Sequence, residues 1–101
     1  MSISYKVYFA DKRVEKIFCK ILEKLPRDFQ QVVYAKLKEL GTHPYPQGKR
    51  IKPIKSELIL YGYTADYRLR IGDYRVLYDV DEKNKKVVLL ALRKRGKETY
   101  R

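Results

Sequence analysis

The fold of this chain follows from the stretch YRLRIGDYRVLYDV, residues 67–80, which alternates apolar and polar side chains on both sides of a Gly-Asp pair. Such alternation is typical of β-strands that bury one face. A two-residue loop that begins with glycine suits a type II′ hairpin turn. We therefore predict an antiparallel hairpin that turns at Gly72 and Asp73 and places Arg70 directly opposite Arg75.

In this register the two faces of the hairpin differ in chemistry. Arg68, Arg70 and Arg75 share one face, and like charges directly opposed across two strands cost up to roughly 1 kcal/mol. Asp79 shares that face and could neutralise one of the three arginines. The remaining charge indicates a site built for an anion. The opposite face, predicted to enter the core, carries Leu69, Ile71, Tyr74, Val76 and Tyr78.

The segment before the hairpin predicts one strand and two helices. Residues 4–10, SYKVYFA, alternate as a first strand does. Asp11 suits a helix N-cap, and apolar residues then recur every three or four positions until LPRD, residues 25–28, breaks the helix. A second helix with the same periodicity ends at Gly41. The apolar faces of the two helices are predicted to contain Val14, Ile17, Phe18, Ile21, Leu22, Leu25, Phe29, Val32, Val33, Leu37 and Leu40.

Prolines and glycines predict a loop over residues 42–56, after the helices. Residues 57–66, ELILYGYTAD, fit either an extended lead-in or an edge strand. Three strands are then predicted at roughly 66–71, 74–81 and 86–93.

Together these elements predict a single α+β domain over residues 1–101. An N-terminal strand and a two-helix hairpin pack on one face of a small antiparallel sheet of undetermined strand order, and the other face stays open. In the last strand, the alternating set that ends in Arg93 is predicted to face the open side. That set comprises Val87, Leu89, Ala91 and Arg93.

The charge of the chain indicates an anionic partner. Lys and Arg number 24 against 12 Asp and Glu, which gives a net charge of +12. Nucleic acid is the leading candidate, and a merely lysine-rich surface is the alternative. The predicted RNA-binding residues lie in GKRIKPIK, residues 48–55, and in the basic C-terminal segment. They are Lys49, Arg50, Lys52, Lys55, Arg93, Lys94 and Lys97.

Other features narrow the function class. The apolar runs are too short to cross a bilayer and the first residues lack a signal-peptide pattern, so we expect a cytoplasmic protein. A lone cysteine, Cys19, fits a reducing compartment and a packing role. With His43 as the only histidine, the chain has neither the histidine pair of many ribonucleases nor an evident metal-ligand set.

Residues 67–101 resemble the RelE/ParE toxin superfamily and, within it, the RelE-type mRNA interferases. A Tyr-Arg-x-Arg strand, a Gly-x-Tyr-Arg turn, a tyrosine in the next strand and a basic segment that ends in tyrosine carry the resemblance. It extends over nearly the whole chain. It implies a RelE-like toxin that an antitoxin neutralises and that cuts mRNA in the ribosomal A site. The implied reaction is attack of a ribose 2′-OH on the adjacent phosphate, without metal or cofactor.

The same resemblance implies roles for individual residues. Arg68 and Arg70 match the two basic residues before the turn, and Arg75 matches the arginine that holds the phosphate and stabilises its transition state. Arg95 matches the basic residue that contacts the phosphate or leaving group. Tyr100 matches the terminal tyrosine that stacks on or orients the nucleotide.

Two alternatives remain open at this stage. One is a ParE-like inhibitor of DNA gyrase, which binds its target and cuts nothing. The other is a non-catalytic module whose arginines only grip RNA or the ribosome. Many relatives have lysine where this chain has Arg68 and Arg70. A guanidinium is a poor general base, so we expect positioning and electrostatic stabilisation to supply most of any rate enhancement.

Overall fold

A computed structural model describes residues 4–45, 51–55 and 57–94 of the chain. No helix in these ranges is long and apolar enough to span a membrane. The elements, in chain order, are β1 (Lys6–Phe9), α1 (Lys12–Glu23), α2 (Arg27–Leu40), β2 (Ile51–Pro53), β3 (Ile59–Leu60), β4 (Tyr63–Thr64), β5 (Tyr67–Ile71), β6 (Tyr74–Asp81) and β7 (Lys86–Lys94).

The predicted hairpin is confirmed as β5 and β6. Arg70 pairs with Arg75, and Arg68 pairs with Leu77. Gly72 has a φ of 57°, the positive value that the first residue of a type II′ turn requires. A Cβ at this position would lie 3.1 Å from the Phe29 ring, so the turn also packs closely on α2. The hairpin lies inside a five-stranded sheet of order β1-β7-β6-β5-β2.

The sheet departs from the prediction in two places. First, β1 pairs parallel with β7, as in Lys6 with Lys86, so the sheet is mixed rather than antiparallel. A parallel pair needs a long connection, and the intervening chain supplies one. Second, part of the predicted loop forms β2, which pairs with β5. This edge strand forms because Ile51 is buried in the core, and Pro53 lies at its end, where an edge strand tolerates proline.

The two helices cover one face of the sheet, as predicted. The Val14 amide donates to Oδ1 of Asp11 at 2.8 Å, which confirms the N-cap of α1. Val32 was expected in the core but is 44% exposed, because its neighbour Val33 takes the inward position on α2. The buried core under the helices comprises Phe18, Leu22, Leu25, Val33, Leu37, Leu40, Ile51, Leu69, Ile71, Val76, Tyr78, Val87, Leu89 and Leu92.

The second face of the sheet is not open throughout, contrary to the prediction. Residues 57–66 contain a short hairpin, β3–β4, that turns at Tyr61 and Gly62, both with positive φ. We call residues 58–65 the strap, because they lie across this face. The strap and the sheet form a second core that contains Leu58, Leu60, Ala65, Leu77, Leu90 and Ala91.

The strap is held at the start of α1. The Tyr63 hydroxyl donates to Oδ2 of Asp11 at 2.9 Å, and Nη2 of Arg13 donates to the Tyr61 carbonyl at 3.1 Å. The Arg13 guanidinium also stands 5.3 Å from the centre of the Tyr61 ring. Asp11 therefore both caps the helix and anchors the strap.

A β-bulge in β7 corrects the predicted faces of the last strand. Leu77 pairs with Ala91 but the next residue, Tyr78, pairs with Leu89, so Leu90 is the extra residue. The bulge splits the alternating set. Val87 and Leu89 join the core under the helices, whereas Ala91 lies beneath the strap. Arg93, which pairs with Arg75, keeps its predicted place on the second face.

We predict that Leu60→Ala destabilises the protein by about 2–4 kcal/mol, because it leaves a cavity between strap and sheet. Leu60 is 8% exposed, whereas its neighbour Ile59 is 57% exposed and points away. The matched control Ile59→Ala should change the free energy of unfolding by less than about 0.5 kcal/mol. Urea unfolding measures both values. Equal effects of the two variants contradict the packing of the strap.

Candidate nucleic-acid interface

A row of three arginines crosses the second face of the sheet at the turn end of the hairpin. Arg70 pairs with Arg75, and Arg75 pairs with Arg93 on β7. Directly opposed residues point to the same side of a sheet, with Cβ atoms about 4.5–5.5 Å apart. Arg70 is exposed, and the other two are half-buried. Three arginine side chains thus extend from adjacent positions on three neighbouring strands.

A second row continues this surface towards the edge strand. Lys52 pairs with Arg68, and the next position in the row is Leu77, which lies under the strap. The two rows are two residues apart along β5, about 7 Å. We call Lys52, Arg68, Arg70, Arg75 and Arg93 the basic face. The strap borders the basic face along the second row.

Asp79 does not neutralise the arginines. Its carboxyl is hydrogen bonded to the Asp66 carboxylate and accepts from the Val80 amide at 2.8 Å. Burial, and then the hydrogen bond to Asp66, raise the pKa of Asp79 to about 6. A guanidinium partner would lower that pKa instead. The alternative in which Asp79 pairs with an arginine is therefore wrong.

Ion pairs are also found outside the basic face. Within the described ranges, Lys36 pairs with Glu39 at 3.2 Å, and Lys85 pairs with Glu82. Arg68 pairs with Leu77, which is buried under the strap. Arg75 lies two residues from Leu77 along β6, so it and its partners Arg70 and Arg93 also lie on the side of the sheet away from the helices. The face on which the three hairpin arginines project was therefore predicted correctly.

The remaining predicted site residues are less closely grouped. Lys55 is exposed just after β2, and Lys94 is exposed at the end of β7, opposite Tyr74. Their roles stay predictions. Five other predicted residues lie outside the described residues, namely Lys49, Arg50, Arg95, Lys97 and Tyr100.

His43 and Cys19, which are predicted to have no catalytic role, lie outside the basic face. His43 is exposed in the loop after α2. Burial, with smaller contributions from Glu15 and Glu23, raises the pKa of the Cys19 thiol, which opposes thiolate chemistry. In the part of the chain that the structure describes, no three His, Cys, Asp or Glu residues are grouped closely enough to hold a metal ion.

The arrangement suits the binding of a phosphate and the stabilisation of charge that develops on it. Guanidinium groups remain protonated at any physiological pH and donate bidentate hydrogen bonds to phosphate oxygens. Lys52 adds a positive charge next to Arg68. Sequence reasoning placed Lys52 in a loop and missed this pairing, although the apolar Ile51 beside it was a signal of a strand.

The chain belongs to the family of ParE toxins of type II toxin-antitoxin systems, parDE, whose model matches residues 8–99. This places it in the RelE/ParE superfamily. It is therefore a toxin of a type II toxin-antitoxin system. A comparison with curated protein sequences finds no match.

Solved structures with the same fold come from such systems. The archaeal RelE-RelB complex from Pyrococcus horikoshii OT3 contains a chain with 29% identity and a TM-score of 0.71, covering 94% of this chain and 99% of that chain. The toxin-antitoxin complex RelBE2 from Mycobacterium tuberculosis gives 26% identity, a TM-score of 0.67 and coverage of 92% and 100%. A mutant of E. coli RelE in the free state, at 22% identity, TM-score 0.56 and coverage of 90% and 83%, shares the fold.

We predict that Asp79→Asn stabilises the protein near pH 7.5. The raised pKa means that folding favours the neutral carboxyl, so the contribution of Asp79 is full below its ordinary pKa of 3.8 and is lost as the pH rises through about 6. Asparagine keeps the hydrogen-bonding pattern of the neutral acid. After screening by solvent, the gain is on the order of 1 kcal/mol.

Urea unfolding at pH 4 and pH 7.5 measures this effect. The advantage of Asp79→Asn should shrink towards pH 4. Asp73→Asn, at an exposed carboxyl in the hairpin turn, is the matched control and should not be stabilised at pH 7.5. An Asp79→Asn variant less stable than the wild type at pH 7.5 contradicts the assignment.

Proposed function

We propose that this toxin is a ribosome-dependent mRNA endoribonuclease that acts in the ribosomal A site. The single observation that carries the proposal is the row Arg70–Arg75–Arg93, flanked by Lys52 and Arg68, on the face that the helices leave uncovered. The partners are then the ribosome with its mRNA and a cognate antitoxin, and the compartment is the cytoplasm. Resemblance to solved RelE chains at 29% and 26% identity supports this reading.

The reaction is an intramolecular transesterification of RNA. A ribose 2′-oxygen attacks the adjacent phosphorus in line, the bond to the 5′-oxygen of the next nucleotide breaks, and the products are a 2′,3′-cyclic phosphate and a 5′-hydroxyl. The proton that leaves the 2′-hydroxyl is balanced by the one that the 5′-oxygen gains. Negative charge grows on the phosphate oxygens during attack, and preorganised cations stabilise it.

The positions of the arginines support a different proposed role for each of them. Arg75 occupies the centre of the row, on the middle strand, where it would hold the phosphate. Arg70 and Arg68, on the neighbouring strand, would hold the flanking backbone. Arg95 and Tyr100 keep the leaving-group and stacking roles that the resemblance implies.

Dependence on the ribosome follows from the same chemistry. A guanidinium takes up no proton near neutral pH, so an arginine-rich site lacks an efficient general base. Its rate must therefore come from charge stabilisation and from the geometry of the substrate. Messenger RNA held in the A site is already positioned, whereas free RNA is not.

We predict that Arg75→Ala lowers the rate of mRNA cleavage on translating ribosomes by about 100-fold or more, since it removes the central charge. Primer extension on ribosome-bound mRNA measures the rate. Arg27→Ala removes an exposed arginine from the start of α2, in the helical layer that covers the opposite face of the sheet, and should cleave at the wild-type rate. Full activity of Arg75→Ala argues against a catalytic basic face.

Binding to the ribosome should depend steeply on salt. Each phosphate contact adds roughly 0.7–0.9 to the slope of log K against log salt concentration. Arg70→Gln should lower that slope by about 1, whereas Arg27→Gln should leave it unchanged. Sedimentation with ribosomes at several salt concentrations measures the slope. A slope near zero in the wild type contradicts an encounter led by charge.

The second candidate function is inhibition of DNA gyrase. It is favoured by one observation, the match over residues 8–99 to the model of ParE toxins. A supercoiling assay with purified gyrase separates the two functions. Inhibition without mRNA cleavage supports the gyrase inhibitor, and retention on ribosomes without cut ends supports a non-catalytic RNA-binding module.

A further inference from the structure

Exposed lysines follow one another at intervals of four residues along α1. Lys12, Lys16 and Lys20 lie in the helix, and Lys24, its C-cap, continues the spacing. Residues four apart are neighbours on the surface of a helix, so these lysines form one continuous row. We call Lys12, Lys16 and Lys20 the lysine stripe. The sheet separates it from the basic face, because α1 belongs to the helical layer that covers the other side of the sheet.

The lysine stripe points away from the sheet. The buried residues of α1 are Val14, Phe18 and Leu22, which also lie four residues apart. At 3.6 residues per turn, each lysine of the stripe lies two positions before a buried residue and therefore on the opposite side of the helix. The stripe thus presents three ammonium groups to solvent along about 12 Å of the helix axis.

Helix stability does not account for the lysine stripe. Like charges four residues apart destabilise a helix, whereas opposite charges at that spacing stabilise it. The acidic residues of α1 are Glu15 and Glu23, and the helical residue four positions from each of them is Cys19, not a lysine. Lys12 also lies in the first turn, where the helix dipole disfavours a positive charge. In the described ranges, α1 contributes no residue to an ion pair.

The surroundings of the stripe favour a nucleic-acid backbone over a protein partner. Protein interfaces have an apolar centre and few lysines, whereas lysine and arginine are the usual contacts of phosphate groups. Exposed large apolar side chains lie on other elements and not on α1, namely Tyr8, Val32, Tyr34, Tyr45, Ile59 and Tyr61. An anionic membrane would also attract lysines, but the apolar side of α1 is buried in the core and is not free to enter a bilayer.

We propose that the lysine stripe binds the phosphate backbone of ribosomal RNA while the basic face holds the mRNA. The inference rests on the proposed action in the ribosomal A site and adds a second contact surface there. Because the two surfaces lie on opposite layers of the molecule, the toxin can lie between two separate RNA segments. The stripe then supplies affinity and orientation and takes no part in the reaction, since the sheet separates it from the reacting phosphate.

The test compares two triple variants of the full chain that lose the same charge. The stripe variant combines Lys12→Gln, Lys16→Gln and Lys20→Gln, because glutamine has nearly the helix propensity of lysine. The control variant replaces three exposed lysines of β1, α2 and the β6–β7 turn by glutamine, namely Lys6, Lys38 and Lys83. Urea unfolding checks that both variants are folded.

Sedimentation with ribosomes that carry no mRNA measures affinity at several salt concentrations. The stripe variant should bind roughly 10-fold more weakly at low salt and lower the slope of log K against log salt concentration by roughly 2–3, since three phosphate contacts are lost. The control variant should change the affinity by less than about twofold. In mRNA cleavage, the stripe variant should need more toxin for half-maximal rate and reach a maximal rate within about twofold of wild type.

Equal losses in the two variants overturn the proposal, because they reflect net charge and not its position. Unchanged ribosome affinity of the stripe variant also overturns it. A loss of affinity that occurs only when mRNA is bound assigns the stripe to mRNA. Retained ribosome affinity with lost binding to vesicles of phosphatidylglycerol assigns it to a membrane, and each of these two results is likewise contrary to the proposal.

The outcomes also separate this inference from the proposed nuclease. If the wild type binds ribosomes without cutting mRNA and only the stripe variant loses affinity, the nuclease is wrong and the stripe proposal stands. If the wild type cuts mRNA and the stripe variant binds like the control, the nuclease stands and the stripe proposal fails.

Discussion

The register of the β5–β6 hairpin is the constraint on which the rest of this structure depends. Because side chains alternate along a strand, a slip of one residue would turn the arginines into the core and the apolar residues into solvent. Gly72 fixes the register, since its positive φ makes the two-residue turn possible. Burial of residues such as Leu69 and Val76 contributes roughly 1.5–3 kcal/mol each, more than the roughly 1 kcal/mol of repulsion between opposed arginines.

The strap divides the second face of the sheet into two separate surfaces. It covers the middle of that face with apolar side chains and is held at its tip by Asp11 and Arg13 at the start of α1. On one side it leaves the basic face, and on the other it leaves a groove lined by residues that include Tyr8 and Tyr63.

Local patterns predicted much of this architecture. Apolar periodicity and the Asp11 cap placed both helices, and alternation placed the strands of the hairpin and the last strand. These local patterns did not predict the short edge strand or the β-bulge, because neither feature has a distinctive sequence pattern. A three-residue edge strand at Ile51–Pro53 looks like a loop, and the bulge at Leu90 shifts the faces of β7 without any break in its apolar run. The sequence of residues 57–66 fitted both an extended lead-in and an edge strand. It did not predict the short hairpin found there, because a ladder of four residues is stabilised by packing on the sheet beneath it.

The amino-acid sequence alone determined the hairpin register and the two-helix layer, because each depends on residues within a few positions of one another. It also determined the excess of positive charge, which depends only on composition. It also carried the signature that identified the toxin superfamily. Only the tertiary structure showed that Arg93 completes the row of Arg70 and Arg75, that Asp79 pairs with Asp66 instead of an arginine, and that a groove lies beyond the strap. These features join strands distant in the chain, and their pairing and burial arise only when the sheet is assembled.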